Sequence, residues 1–330
     1  MSWTRSAGPN VDCLRPAEPH LPMMTPILSR REFLRTAAIG ATAASLLPRL
    51  AGATATPARI KVGAHPWVYA AKMPGNDFTP LLPEIFADFK AAGFDGIELM
   101  NMVLRHDDAV ARIGALSRQH GLPVIGTSFN GPMWDRAQHA TVLGIAETVM
   151  TRLAELGGRT FGTSVGPLPP SEPKRRKTEV HFDAQAECLT QIIALGKKLG
   201  VVVNLHNHTY EVENDFHDLN GTLARLPEVK LGPDLNWLIR GGGDPVAFIR
   251  RHGKRIVFLH LRDQVANGRW VESMGEGTTD FAAIAAALRE VGFAGDAVIE
   301  LAHEKDFTPT RPFRESFQRS REFVRRTMAI

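Results

Sequence analysis

Only two of 330 residues are cysteine, Cys13 and Cys188, so the chain has no cysteine framework to staple it. Nor does any apolar run reach the ~20 residues that a membrane-spanning helix needs, and a soluble mature protein is expected. Basic charge is also scarce once its location is considered. Residues 1–55 hold six arginines against three acids, leaving the rest of the 39 basic and 35 acidic side chains close to balance. A nucleic-acid partner is therefore not expected, and the basic run Lys174–Lys177, inside the proline-rich stretch 167–177, reads as part of a solvated loop. No Gly-x-Gly-x-x-Gly follows the first strand-like segment, and Gly241-Gly242-Gly243 lacks the Lys-Ser/Thr of a phosphate loop. Nucleotide binding has no support.

What is there begins with an address. Ser29-Arg30-Arg31-Glu32-Phe33-Leu34 resembles a twin-arginine export signal, followed by a small apolar stretch and by Ala53-Thr54-Ala55, a site of the kind signal peptidase cuts. The twin-arginine machinery is thus an expected partner, and a periplasmic or secreted location follows. Residues 1–55 divide into a leader with no periodic pattern, where disorder is expected, and the signal itself. With Cys13 in the leader, Cys188 is left alone in a helical pattern, where a small buried residue is expected.

From residue 59 to 330 the pattern changes. Eight short strand candidates alternate with helical stretches: 60–64, 96–99, 124–127, 160–164, 201–206, 229–231, 256–260 and 297–301. Most follow a glycine that would end the helix before them, as in Leu199-Gly200-Val201. Strands alternating with helices imply parallel pairing through right-handed crossovers. Eight such units over ~250 residues predict a single-domain (β/α)8 TIM barrel, with an open doubly wound sheet as the competing architecture. The last helical stretch, 311–328, is expected to seal the barrel with its arginines in water.

In such a barrel the active residues sit at the C-terminal ends of the strands. Those ends are rich in polar groups: His65 and Trp67, Glu98, Asn130, His206 and His208, Asp234 and Asn236, His260 with Arg262 and Asp263, and Glu300. Imidazole nitrogens and carboxylate oxygens brought to one mouth suit a divalent ion. Four strands can each give one ligand: His206, Asp234, His260 and Glu300. Each also has a plainer explanation, since a strand-end histidine can be a hydrogen-bonded core residue and Asp234 a helix cap. Glu300 is harder to dismiss, because a carboxylate continuing the buried run Ala297-Val298-Ile299 is costly unless paired or metal-bound.

These residues, together with Gly93-Phe94-Asp95-Gly96-Ile97-Glu98-Leu99, Leu205-His206-Asn207-His208 with Glu211, Pro233-Asp234-Leu235-Asn236, Leu259-His260-Leu261-Arg262-Asp263, Met274-Gly275-Glu276-Gly277 and Val298-Ile299-Glu300-Leu301, carry a resemblance. Over residues 59–305 the chain resembles the sugar isomerase and epimerase superfamily with the xylose-isomerase-like TIM barrel, to which endonuclease IV also belongs. The resemblance implies one divalent ion (manganese, magnesium, cobalt or zinc) held at these strand ends, and a sugar carbonyl polarised so that a base removes the neighbouring proton to leave a metal-stabilised enediolate. Carried over by position, Asp234, His260 and Glu300 match family ligands, while Glu98 and Asp263 match supporting residues.

One position departs from that pattern. Epimerases of the family use two opposed glutamates, and the first would fall at His206. Stereoinversion by the usual carboxylate pair is therefore in doubt, and a single base at Glu300 with His208 or Glu211 returning a proton is the expected arrangement. A sugar or keto-sugar is the expected substrate. Isomerase or epimerase leads; a metal-dependent lyase or dehydratase acting on an oxidised sugar or glycoside competes with it, as does a non-catalytic sugar-binding barrel. A homo-oligomer is left open. A nuclease would need a larger metal cluster and a basic groove, which the near-neutral body lacks.

Overall fold

The computed structural model describes residues 60–169 and 176–330. The twin-arginine signal and the leader, residues 1–55, lie outside the described residues, as do Lys174 and Arg175 of the basic run at 174–177.

Eight parallel strands form one sheet: β1 Val62–His65, β2 Gly96–Met100, β3 Val124–Asn130, β4 Thr160–Ser164, β5 Val202–Leu205, β6 Lys230–Leu231, β7 Phe258–Leu261 and β8 Asp296–Glu300. Their spatial order is β6-β5-β4-β3-β2-β1-β8-β7, so consecutive strands are neighbours and β8 returns to β1. The remaining gap, between β6 and β7, is bridged at two isolated points, Leu231 to Ile256 and Asp234 to His260. There Val257 N donates to Leu231 O at 2.9 Å and His260 N to Pro233 O at 3.0 Å. The ring closes as a TIM barrel.

Among the described residues, ten α-helices connect and surround the strands: α1 Trp67–Ala70, α2 Leu82–Ala91, α3 Ala109–His120, α4 His139–Glu155, α5 Glu179–Leu199, α6 Thr209–Arg225, α7 Leu235–Arg240, α8 Pro245–His252, α9 Phe281–Glu290 and α10 Phe313–Met328. Apolar faces such as Ile85, Phe86 and Phe89 on α2, or Val142, Ala146, Val149 and Leu153 on α4, turn inward at the helical period. Gly121 and Gly200 end α3 and α5 in the left-handed conformation, which lets the chain turn straight into the next strand. Cys188 is buried in α5. None of the described helices is long and apolar enough to cross a membrane.

Inside the ring, side chains stack in layers because the strand period is two. The lower layer is apolar: Ile125, Phe258 and Val298 pack together beside Gly63 and Gly96. A Cβ on either glycine would come within 2.6 Å of Ile125, so the glycines make the room that the isoleucine fills. Two residues further along the same strands stand His65, Glu98, His260 and Glu300, all buried.

Two surface expectations need correction. Lys177 is not solvated: it is buried, with Nζ 2.7 Å from Asp218 Oδ2 and 3.0 Å from Gln185 Oε1, because the chain entering α5 folds back over α6. In α10, Arg321 is buried against Asp95, 3.5 Å away, and donates to the Ile330 carbonyl, while Phe317 packs edge-on against Phe89 and Phe94. The helix packs beside α2 and α9, and not all of its charges reach water.

Candidate active site

The polar layer opens into a cavity of about 400 Å³ at the C-terminal mouth of the barrel. His65, His206, His208, His260 and Glu300 form its inner end, with Trp67 and Asn130 further out. Ligand atoms of His206, Asp234 and His260 lie within 4.8 Å of one another, all three buried, and the two histidines line the cavity. Glu300 stands beside this group of three, its Oε2 2.6 Å from His260 Nδ1.

Each of these side chains is held by an identifiable neighbour. His260 is fixed at both nitrogens, with Glu98 Oε2 2.8 Å from Nε2 and Glu300 on Nδ1. Burial alone would lower its pKa, but the two carboxylates overrule burial and push it up to about 10. Glu98 therefore orients the ring from below and leaves Nδ1 facing the cluster. Asp234 is the N-cap of α7: its Oδ1 accepts from the backbone N–H of Asn236 and of Trp237, both at 3.0 Å. Its Oδ2 accepts from Arg262 Nε at 2.6 Å. The cap and the candidate ligand are thus the same residue, using different oxygens.

Arg262 is the charge that makes this layer tolerable. Its Nη2 reaches Glu300 Oε1 at 2.6 Å while its Nε holds Asp234, and the guanidinium carbon lies 5.4 and 5.3 Å from the ring centres of Trp237 and Trp270. Two buried carboxylates are thereby matched to one permanent cation. Burial would raise the Glu300 pKa, but Arg262, His65 and His260 hold it well below the usual carboxylate range. His206 is the counterpart. Burial, with His260 and His208 close by, holds it well below the ordinary imidazole value, so the ring is neutral. Its Nδ1 is buried and without a partner. A neutral imidazole with an unused nitrogen, two carboxylates and a second imidazole form a nitrogen and oxygen donor set that fits a divalent ion.

Other predicted residues stand near without joining the cluster. His65 donates or accepts at Ser128 Oγ, 3.1 Å away, with its Nδ1 3.5 Å from Glu300, and burial lowers its pKa. His208 lies at the cavity wall, its ring centre 4.9 Å from that of His206. Asn236 is buried away from the cavity, donating to Thr279 Oγ1 at 3.0 Å.

Two residues are placed elsewhere. Glu211 was expected beside His208 as a proton carrier, but its oxygens accept from Val165 N at 3.2 Å and His208 N at 2.6 Å, closing the capping box that starts α6. Asp263 accepts from four backbone N–H groups, those of Gln264, Gly275, Gly277 and Thr279, and so shapes the loop before α9. A Cβ at Gly277 would fall 2.3 Å from Asp263 Oδ1, which explains the glycine in Met274-Gly275-Glu276-Gly277. Sequence reasoning missed the far wall of the cavity, Asn76, Asn101, Met102 and Arg105. The only signal for them was their place in the loops after β1 and β2.

Residues 86–326 match the xylose isomerase-like TIM barrel family, a match that spans well over half of the chain. The chain belongs to this family. Among curated proteins, the rhizopine catabolism protein MocC of Rhizobium meliloti is 26% identical over 252 residues, 68% of this chain and 75% of that protein. Solved structures of similar fold include the D-allulose 3-epimerase of Methylomonas sp., with a TM-score of 0.67, 17% identity and coverage of 82% of this chain and 99% of that one. The 3-keto-D-glucoside 4-epimerase YcjR of E. coli gives 0.64 and 21%, covering 80% and 100%. At these identities the structural likenesses establish the barrel.

Proposed function

We propose that this barrel is a divalent-metal-dependent sugar isomerase or epimerase that moves a proton on the carbon beside a sugar carbonyl. The observation that carries the reading is the convergence of His206, Asp234 and His260 from three different strand ends, with Glu300 against His260 and with His206, His260 and Glu300 lining one cavity. Similarity to enzymes named as epimerases of allulose and of a 3-keto-glucoside supports the choice of substrate. A divalent ion bound by these four residues supplies Lewis acidity to the carbonyl oxygen and the hydroxyl beside it.

The chain's own residues do the rest. Glu300, ionised, with Oε1 on Arg262 and Oε2 on His260 Nδ1, lines the cavity and is the carboxylate placed to accept the proton from carbon. His208, on the same wall as His206 and with its Nδ1 3.7 Å from Glu211 Oε2, is the group placed to give a proton back. Glu211 is excluded from that task because backbone N–H groups occupy it. Glu98 and Arg262 hold the ligands in register rather than touch substrate.

The experiment is incubation of manganese-loaded protein with free keto-hexoses in deuterated water, read by mass spectrometry, with metal content measured in parallel. One deuterium per turnover and an intact carbon skeleton are expected. Glu300→Gln should lower the exchange by at least ~10²-fold, and His206→Ala should lose bound metal. Release of water or an aglycone would reassign the chemistry to elimination. No exchange by metal-replete protein, or full metal content in both variants, would remove the proposal.

A further inference from the structure

The cavity continues past the ligand cluster. From His206, His260 and Glu300 it runs toward the loops after β1, β2 and β3, where Asn76, Asn101 and Arg105 stand at its far end. Neighbouring charges in that stretch are paired. His106 Nε2 lies 2.8 Å from Asp77 Oδ2, Arg152 Nη2 2.9 Å from Asp107 Oδ1, and Arg112 Nη2 2.9 Å from Asp108 Oδ1.

Arg105 is different. Its Nη2 donates to the amide oxygen of Asn101, and no acid among the described residues contributes to its electrostatic environment; partial burial alone lowers its pKa. It is still a cation at neutral pH. The result is a planar fork of donors, on the wall of the reactive cavity, held in position by an amide and matched to no anion among the described residues. A fork of that kind fits a carboxylate through two parallel hydrogen bonds.

We propose that this outer end is a subsite for a carboxylate on the substrate, so that the chain acts on an acidic sugar derivative: a uronate, or a glycoside bearing an acidic substituent. The inference rests on the proposed function for which end of the cavity reacts. The reacting carbon sits at Glu300 and the carboxylate at Arg105, with the Asn76 and Asn101 amides beside it. A single cation, set in a stretch that also carries Asp77, Asp107 and Asp108, matches one negative charge better than a phosphate dianion.

The test is calorimetric titration of the manganese-loaded full chain with D-glucuronate, D-glucose and D-glucose 6-phosphate. Glucuronate should bind about tenfold tighter than glucose, the low end for a charge-assisted hydrogen bond. The ratio should fall toward one in Arg105→Gln and return in part in Arg105→Lys, which keeps the charge and loses the fork. Four results would overturn the subsite: no glucuronate binding, equal binding of glucuronate and glucose, an unchanged ratio in Arg105→Gln, or tighter binding of the phosphate. Deuterium exchange with a neutral keto-hexose, run on the same preparation, separates the two ideas. Exchange without acid preference removes the subsite alone, and acid preference without exchange removes the proposed function alone.

Discussion

Two layers of the barrel interior stand on the same strands, two residues apart, and they answer to different constraints. Gly63, Gly96, Phe258 and Val298 belong to the lower one; His65, Glu98, His260 and Glu300 stand directly above them. In the lower layer the problem is volume. Ile125 fits because Gly63 and Gly96 beside it have no side chain. In the upper layer the problem is charge: Glu98, Asp234 and Glu300 are buried together with Arg262 and a protonated His260, three negative charges against two positive. A divalent ion added to that group, with release of the His260 proton, brings it to neutrality. The lesson is that alternation along a strand decides which side chain points inward, while the neighbouring strands decide whether a charge there can be kept.

The comparison breaks most sharply at Arg262. Arg262→Met should destabilise ion-free protein by roughly 3–5 kcal/mol, since Asp234 and Glu300 are then buried without a cation. Denaturant unfolding measures it, and manganese should restore the variant more than the wild type. A loss below ~1 kcal/mol would mean that the charges are solvated after all.

Acidity gives the next effect. The pKa of His260 rises from 6.5 to about 10 on folding, so its contribution is fully present below pH 6.5 and is lost as the pH climbs to 10. The melting temperature of ion-free protein should fall across that window, and Glu98→Gln should flatten the decline. An equally steep profile in the variant would show that another group is titrating.

The lower layer gives the smallest effect. Gly96→Ala should cost about 1–3 kcal/mol, because the new Cβ would stand 2.5 Å from Ile125 Cγ2 and 3.0 Å from the Pro123 carbonyl. Ile125→Val in the same chain should return part of the loss, as measured by a double-mutant cycle. Simple additivity of the two substitutions would place the strain somewhere other than this contact.

How much of this was legible depends on the kind of signal. All eight strands are foreseen to within three residues, because β-branched runs bounded by helix-ending glycines are a local signal and strand alternation is short-ranged. Which polar residues reach the rim followed from the same strand ends. What each one does there was less visible. Glu211 and Asp263 have the composition of site residues, yet they answer to backbone N–H groups created by turns at Thr209 and Gly275. Lys177 sits in a basic run, and only the fold shows that Asp218, 41 positions on, is waiting for it. Arg262 was readable as lying at the end of β7, between the strands that carry Asp234 and Glu300, but that one guanidinium reaches both carboxylates is shown only by the fold.

One of the two bridges in the barrel's last join is that between Asp234 and His260, and these are also two of the three residues whose ligand atoms converge. Whatever draws those two side chains together also zips the cylinder shut, so occupancy of that group and integrity of the ring become one equilibrium. Amide hydrogens at Val257 and His260, which stitch that join, should exchange with solvent at a rate set by what the site holds.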